Sequence, residues 1–151
     1  MQELRSEIEF DATPGDVWGV LVDLPAYGQW NPFIRELEGE VRVGARLRAR
    51  LVPIGERGFT MRPTVLVAER NLELRWLGRM GLPGIFDGEH VLEIQEVGPG
   101  RVRFLQHERF RGILVPFLWK KLRDGGTAKG FVAMNEALAA RVADQLAQQA
   151  S

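Results

Sequence analysis

The chain has 151 residues, with Lys plus Arg and Asp plus Glu balanced at 20 each and with no cysteine. A domain of this length removes about 70% of its unfolded surface from water. We therefore expect one domain over residues 1–151 that is stable without a disulfide bond. The zero net charge gives no overall field that would collect nucleic acid or an anionic membrane, and the missing thiols exclude disulfides and a thiolate nucleophile.

The N-terminal part of the chain predicts one strand and two short helices. Residues 3–10 alternate polar and apolar side chains, which is typical of a strand. Thr13 is suited to cap a helix that has Pro14 at its first position and apolar residues at helical spacing. Pro25 repeats this start for a second helix, which must end before Pro32 because a proline disfavours the α conformation of the preceding residue.

The segment YGQWNPF at residues 27–33 joins these helices to the next strand. Trp30 falls on the inner side of the predicted helix pair, and Asn31 is expected to be extended before the proline. We interpret the segment as a packing and turn element rather than a ligand-binding motif.

Residues 34–111 contain alternating segments divided by Gly, Pro and Asn, with no helical signal. This pattern predicts an antiparallel sheet whose clearest strands are residues 45–52, 59–68, 71–79, 87–97 and 101–111. The other face of these strands is largely charged. The side chains predicted to face inward are Leu47, Ala49, Leu51, Phe59, Met61, Val65, Val67, Leu72, Leu74, Trp76, His90, Leu92, Ile94, Val102, Phe104 and Phe110.

A long helix is predicted at the C-terminus. Thr127 follows the glycines of residues 124–126 and is suited to cap it. At 1.5 Å per residue the helix reaches about 30 Å, enough to cover the sheet. The expected fold is therefore α+β, a curved antiparallel sheet around this helix with space left between them. The apolar stripe of the helix runs through Phe131, Met134, Leu138, Val142 and Leu146.

With these elements the chain resembles the START-related, birch-pollen-allergen-like (SRPBCC, helix-grip) superfamily, and in particular its bacterial polyketide cyclase/dehydrase-like branch. The resemblance is carried by TPGDVWGVLVDLPAYGQWNPFI, LRWLGRMGLPGIFDGEHVLEI, VRFLQHERFRGILVP and GFVAMNEALAARV. It implies a deep apolar cavity between sheet and helix, used across the superfamily for lipids, sterols, polyketides, quinones or aromatic ligands. It supplies no universal catalytic residue.

Several kinds of chemistry have little support in the sequence. The only serines are Ser6 and Ser151, both near the chain ends, which argues against a serine hydrolase. His90 and His107 have opposite strand parity, and without cysteine a zinc site would need an unusual set of carboxylates. We therefore predict neither a metal nor a cofactor.

Strand register brings polar residues together on the otherwise apolar inner face. A turn at VGPGR sets His90 opposite Glu108 and places Gln106 on the same face. Opposed residues have Cβ atoms about 4.5–5.5 Å apart, close enough for an imidazole and a carboxylate to interact. Three roles stay open for His90 and Glu108: a structural pair, a pair that orients a ligand, or an acid/base pair in catalysis.

A similar register argument at ERNL favours a two-residue turn at Arg70 and Asn71, with Trp76 opposite Val65. A curved sheet under one helix does not fill its middle easily, so some inward side chains should line a void. The candidate catalytic residues are His90 and Glu108. The candidate ligand contacts are Phe59, Met61, Val65, Trp76, Phe86, His90, Leu92, Phe104, Gln106, Glu108, Phe110 and Met134.

Two apolar stretches, residues 79–86 and 113–119, lie outside the predicted regular elements. Exposed apolar surface of this kind marks an interface or a binding site. Three interpretations stay open: a gate at the pocket mouth, a dimer contact, or segments folded over the core. The chain is accordingly expected to be a monomer or a homodimer.

Three functions are considered for the chain. The first is binding of a small hydrophobic ligand, lipid-, polyketide- or aromatic-like, in the cavity. The second is a cyclase/dehydratase-type enzyme that works without a metal or covalent nucleophile. The third is a protein-interaction module related to chaperone activators. No nucleic-acid partner and no membrane span are expected, and the absence of an export signal and of cysteine indicates a cytoplasmic location.

Overall fold

Eight strands and four α-helices make up the computed structural model, which describes residues 1–151. None of the helices combines the length and apolarity needed to cross a membrane. The strands are β1 (Gln2–Asp11), β2 (Ile34–Glu38), β3 (Arg48–Leu51), β4 (Phe59–Met61), β5 (Thr64–Glu69), β6 (Glu73–Arg79), β7 (Asp87–Gly98) and β8 (Arg101–Arg111). The helices are α1 (Pro14–Leu21), α2 (Tyr27–Trp30), α3 (Val115–Asp124) and α4 (Gly126–Ala150), with a 3-10 turn at Leu24–Ala26 before α2.

The strands form two antiparallel sheets that meet edge to edge. The larger has the order β1-β8-β7-β6-β5 and the smaller the order β2-β3-β4. Backbone hydrogen bonds connect them, from Leu47 N–H to Pro63 O (2.8 Å) and from Val65 N–H to Ala45 O (2.9 Å). Helix α4 packs across β1 and also contacts β8, α1 and α3. The predicted α+β helix-grip fold is confirmed.

The start of α1 and the turn after α2 follow the sequence signals. Thr13 Oγ1 accepts a hydrogen bond from Asp16 N–H (3.2 Å), and the Asp16 carboxylate accepts one from Thr13 N–H (2.9 Å), a complete capping box. Asn31 is extended and fully buried, and its Oδ1 accepts hydrogen bonds from the N–H groups of Phe33 (2.9 Å) and Ile34 (2.8 Å). The turn role of this segment is confirmed.

Helix α3 is the main element that the sequence analysis did not predict. Residues 113–119 lie outside the strands, as predicted, and α3, for which no helix was predicted, covers most of them, with Pro116 in its first turn, where a missing N–H costs nothing. Val115, Trp119 and Leu122, at i, i+4 and i+7, pack towards the core. The helix was missed because the other side of α3 is apolar as well, which hides the helical period. Thr127 is not a cap: α4 starts at Gly126.

The sheet differs from prediction at two places. Residues 59–68 are not one strand, because Pro63 interrupts β4 and β5 and these strands belong to different sheets. The turn between β5 and β6 has three residues, 70–72, and Leu72 is 52% exposed rather than inward. A bulge between Val65 and Val67 offsets the extra residue, so Trp76 still lies opposite Val65.

The middle of the molecule is filled. Leu92, Phe104, Met134 and Leu138 have no exposed surface and belong to one apolar cluster that joins the larger sheet to α4. His107, of opposite parity to His90, lies on the other face of the sheet beside Val91, and burial lowers its pKa. Space for a ligand must therefore lie away from the sheet centre.

The only tyrosine, Tyr27, gives a test of this core. It is fully buried and donates a hydrogen bond to Leu21 O (2.7 Å); burial, with the nearby Asp23 charge, raises its pKa. The unfolded chain releases this proton near pH 10, while the folded chain retains it. Above about pH 10 the free energy of unfolding should therefore fall by up to about 1.4 kcal/mol per pH unit from this group.

Urea unfolding at increasing alkaline pH, followed with phenolate absorbance, measures this effect. Tyr27→Phe is the matched control and should remove this contribution, at a cost of about 1 kcal/mol at neutral pH for the lost hydrogen bond. Phenolate absorbance that appears before the protein unfolds would contradict the burial of Tyr27.

Candidate functional site

A cavity of about 260 Å³ lies at one end of the sheets, beneath α3. Its walls come from β3, β4, β7 and β8, and its rim comes from the loops after β3 and β6 together with the first turn of α4. The lining residues are Phe33, Leu51, Pro53, Glu56, Arg57, Phe59, Met61, Met80, Phe86, Gly88, Glu108, Phe110, Leu118, Lys121, Leu122 and Thr127.

The structure divides the predicted site residues into two groups. Those that line the cavity are Phe59, Met61, Phe86, Glu108 and Phe110. The others pack in the buried interior next to it: Val65, Trp76, His90, Leu92, Phe104, Gln106 and Met134. The division arises because the cavity sits under α3, towards the ends of β7 and β8, and not beneath the centre of α4.

Sequence reasoning missed most of the cavity rim. Lys121, Leu118 and Leu122 were missed because α3 was not predicted, although the spacing of Val115, Trp119 and Leu122 carries a helical signal. Gly88 is inward-facing by parity and lines the cavity on β7, and Leu51, predicted to face inward, lines it on β3. The remaining missed residues lie in loops or at element ends, where periodicity gives no direction: Phe33, Pro53, Glu56, Arg57, Met80 and Thr127.

A chain of buried polar groups leads from the cavity wall into the protein. The predicted register is confirmed, with His90 opposite Glu108 and Leu92 opposite Gln106. His90 Nδ1 lies 3.3 Å from Glu108 Oε1, and His90 Nε2 lies 2.9 Å from Gln106 Oε1. Gln106 Nε2 donates to Phe131 O (3.1 Å) and to Asn135 Oδ1 (2.7 Å). The Asn135 amide in turn donates to Ser6 Oγ (2.9 Å).

The direction of each hydrogen bond among these polar groups follows from the contacts of Gln106. The backbone carbonyl of Phe131 can only accept, so the NH₂ group of Gln106 must point towards it and Gln106 Oε1 must point towards His90. His90 Nε2 therefore carries a hydrogen. His90 Nδ1 then faces the Glu108 carboxyl group.

The Glu108 carboxyl group stands at the cavity wall with His90 behind it. His90 is 3% exposed and lies between the rings of Trp76 (5.4 Å between centroids) and Phe131 (5.0 Å). Gly88 pairs with Phe110, next to Glu108 on the same face of the sheet, and a Cβ atom there would lie 3.3 Å from Glu108 Oε1, closer than ordinary van der Waals contact. The missing side chain therefore leaves this side of the carboxyl group uncovered. Of the ionisable pair, Glu108 is thus the member that a ligand would touch.

The other charged groups of the cavity lie at its mouth. Lys121 Nζ is 3.5 Å from Glu56 Oε1, and Glu56 Oε2 accepts a hydrogen bond from Gly126 N–H (3.0 Å) at the start of α4. These contacts attach α3 and α4 to the loop after β3. The cavity mouth therefore has the Glu56–Lys121 ion pair, held in place by the hydrogen bond to Gly126, whereas the interior has a single carboxyl group, that of Glu108. No set of three or more His, Asp or Glu side chains is arranged to hold a metal ion.

Loss of the Gln106 side chain tests the polar chain. Gln106→Leu leaves the His90 Nε2–H and Asn135 Oδ1 groups without their partner in a fully buried site. Each unsatisfied group costs about 1–3 kcal/mol, so we expect a loss of roughly 2–4 kcal/mol after the gain from the added apolar surface. Urea unfolding measures this, and Gln95→Leu on the outer face should cost less than about 0.5 kcal/mol. Equal effects of the two changes would show that the buried hydrogen bonds of Gln106 do not stabilise the protein.

The fold defines a helix-grip protein, in which a curved antiparallel sheet packs against a long C-terminal helix, and its ligand-sized cavity lies beneath α3. The chain belongs to the polyketide cyclase/dehydrase and lipid transport family, whose model matches residues 1–150. No curated protein matches it in sequence.

Solved structures share this fold at low sequence identity. A START superfamily protein from Mycobacterium smegmatis has a TM-score of 0.71 at 20% identity, over 95% of this chain and 98% of its own. The Zhui aromatase/cyclase from Streptomyces sp. R1128 has a TM-score of 0.72 at 16% identity, over 96% and 95%. Norcoclaurine synthase from Thalictrum flavum, in complex with dopamine and hydroxybenzaldehyde, has a TM-score of 0.70 at 17% identity, over 95% and 87%.

Proposed function

We propose that this protein binds a small hydrophobic ligand of one or two rings, or a short acyl chain, with a polar group of the ligand directed at Glu108. The observation that carries the proposal is the composition of the cavity: an apolar interior with one carboxyl group, that of Glu108, whose side chain is 15% exposed. Such a cavity binds through apolar contact and orients its ligand through a few polar groups.

The size of the cavity limits the ligand. An apolar cavity of roughly 150 Å³ accepts one benzene molecule. The cavity of about 260 Å³ therefore suits one or two rings and is too small for a sterol-sized molecule. Among the neighbours in fold, norcoclaurine synthase is described with ligands of this size, dopamine and hydroxybenzaldehyde.

The carboxyl group limits the polar end of the ligand. As a carboxylate Glu108 accepts hydrogen bonds, and as an acid it donates one, so hydroxyl and carbonyl groups both find a partner there. A ligand carboxylate placed at the same point would instead meet a like charge whenever Glu108 is ionised. Phenols, aryl ketones and short-chain alcohols are thus better candidates than fatty acids.

A second candidate function is catalysis of proton transfer on such a ligand, of the cyclase or dehydratase type. One observation favours it: two groups able to exchange protons, His90 Nδ1 and Glu108 Oε1, are 3.3 Å apart at the cavity wall. A pair of this kind can take a proton from a bound carbonyl compound and return it at another atom. The fold relation to an aromatase/cyclase is compatible with this role.

Calorimetric titration of the full chain tests the binding proposal. The compounds are a phenol series, an aryl ketone series, a medium-chain fatty acid and a sterol. We expect saturable binding of the phenols or ketones with one site per chain, weaker binding of the fatty acid, and none of the sterol. Absence of binding for all one- and two-ring compounds, or tight binding of the sterol, would overturn the proposal.

A further inference from the structure

An apolar rim surrounds one side of the cavity mouth and faces solvent. It consists of six side chains from the loop after β6, the loop after β8, and α3. Phe117 is 83% exposed, Leu82 75% and Ile113 66%. Large apolar side chains in such numbers at one place are uncommon on a free surface and mark a contact site. The members of the apolar rim are Met80, Leu82, Ile113, Leu114, Phe117 and Leu118.

The rim is one continuous surface attached to the cavity. Backbone hydrogen bonds from Ile113 N–H to Gly84 O (3.0 Å) and from Leu114 N–H to Ile85 O (3.1 Å) hold the two loops together. Leu114, the residue before α3, and Phe117 and Leu118 on α3 stand at i, i+3 and i+4. Phe117 lies opposite the side of α3 that packs on the core, and Leu118 lies between Phe117 and that side. Met80 and Leu118 belong both to the rim and to the cavity lining.

The unpaired charge of this surface is positive. Residues 111–124 contain four basic side chains, Arg111, Lys120, Lys121 and Arg123, and one acidic one, Asp124. Arg123 pairs with Asp124 (2.9 Å) and Lys121 with Glu56 (3.5 Å), which leaves Arg111 and Lys120 without a salt bridge. Lys120 and Lys121 are exposed and follow directly after the apolar residues of α3. Basic side chains beside an exposed apolar stripe are the pattern of helices that lie in the interface of an anionic membrane.

We propose that the apolar rim docks onto a bilayer that contains anionic lipid, with Phe117, Leu82 and Ile113 inserted among the acyl chains. The local charge carries this inference, because Arg111 and Lys120, which form no salt bridge, flank the inserted Ile113 and Phe117 in the chain. Docking opens the cavity towards the bilayer, since Met80 and Leu118 belong to both.

Vesicle co-sedimentation of the full chain tests the docking. The probes are vesicles of phosphatidylcholine alone and vesicles of phosphatidylcholine and phosphatidylglycerol in equal parts. We expect binding to the mixed vesicles, weaker binding to phosphatidylcholine alone, and a loss of binding as salt is raised. Phe117→Ser should weaken partition about tenfold or more, and Lys120→Gln should weaken it by about fivefold on the mixed vesicles only.

The control is Leu72→Ser, which removes an apolar side chain that is 52% exposed in the turn between β5 and β6, away from the rim. It should leave partition unchanged. The proposal is overturned if the native chain sediments with neither vesicle, or if Leu72→Ser has the same effect as Phe117→Ser. It is also overturned if Phe117→Ser acts only by dissociating a homodimer in vesicle-free ultracentrifugation.

These measurements distinguish a failure of the ligand-binding proposal from a failure of the membrane-docking proposal. Phe117 does not line the cavity, so calorimetric titration of Phe117→Ser should give the affinity of the native chain for small ligands. Loss of sedimentation with retained affinity locates the defect in the rim. A chain that binds vesicles but none of the one- and two-ring compounds refutes the proposed ligand and leaves the docking in place.

Discussion

Replacement of Gly88 by phenylalanine should reduce the affinity for small ligands by at least about 100-fold, or roughly 2.7 kcal/mol. Gly88 lines the cavity on β7, and a side chain there would stand next to the flexible end of Glu108 rather than against backbone. A phenyl ring therefore enters the space of about 260 Å³ and occupies a large part of it. A ligand of one or two rings then no longer fits.

The matched control for this change is Gly19→Phe. Gly19 lies on the exposed side of α1, and no atom lies within 4 Å of a Cβ placed there. Both variants should remain folded by circular dichroism, and only Gly88→Phe should lose binding in calorimetric titration. Retained binding in a folded Gly88→Phe variant would show that the ligand occupies another site.

Replacement of Glu108 by glutamine should separate binding from proton transfer. The amide keeps the size of the side chain and can donate a hydrogen bond to His90 Nδ1, but it cannot exchange a proton with the ligand. If the protein catalyses proton transfer, the rate should fall by about 10²- to 10⁴-fold, while ligand affinity changes by only a few-fold. The measurement is deuterium uptake next to the carbonyl of phenylacetone in heavy water, followed by NMR.

Glu56→Gln provides the control, since Glu56 is the other carboxylate that lines this cavity. It is engaged with Lys121 and with Gly126 N–H at the mouth, and its amide can still accept the latter hydrogen bond. Exchange should therefore continue at close to the native rate. Equal losses in the two variants, or native exchange in Glu108→Gln, would exclude Glu108 as the proton-transfer group and leave the pair with His90 as a structural one.

The local elements of this protein were readable from its sequence because short-range physics decides them. The capping box of Thr13 and Asp16 and the extended Asn31 before Pro32 depend on neighbours a few residues away. The pairing of His90 with Glu108 could also be predicted, because parity is kept along the paired strands from Glu96 to Asp87, and the one register shift, a bulge between Glu96 and Gly98, lies next to the turn. The α+β order and the long terminal helix followed from the same periodicities.

Only the tertiary structure determined where the cavity lies and which residues form its walls. Leu92, Phe104 and Met134 were suitable lining residues by pattern, but contact between the sheet and α4 fills the space around them. Parity gives the face of a strand on which a side chain lies, and it does not tell whether a helix or a void covers that face. At the end of the sheet formed by Gly88 and Phe110, helix α3 covers the inner face without filling the space beneath it, and this space is the cavity.

The polar chain behind Glu108 shows the same division. The sequence by itself placed His90, Gln106 and Glu108 on one face, since that depends on strand register alone. The partners that direct them, the Phe131 carbonyl and Asn135, lie on α4, and no local signal sets the rotation and height of that helix against the sheet. Packing of the whole core fixes that helix, and through it the protonated nitrogen of His90 and the carboxyl group that faces the cavity.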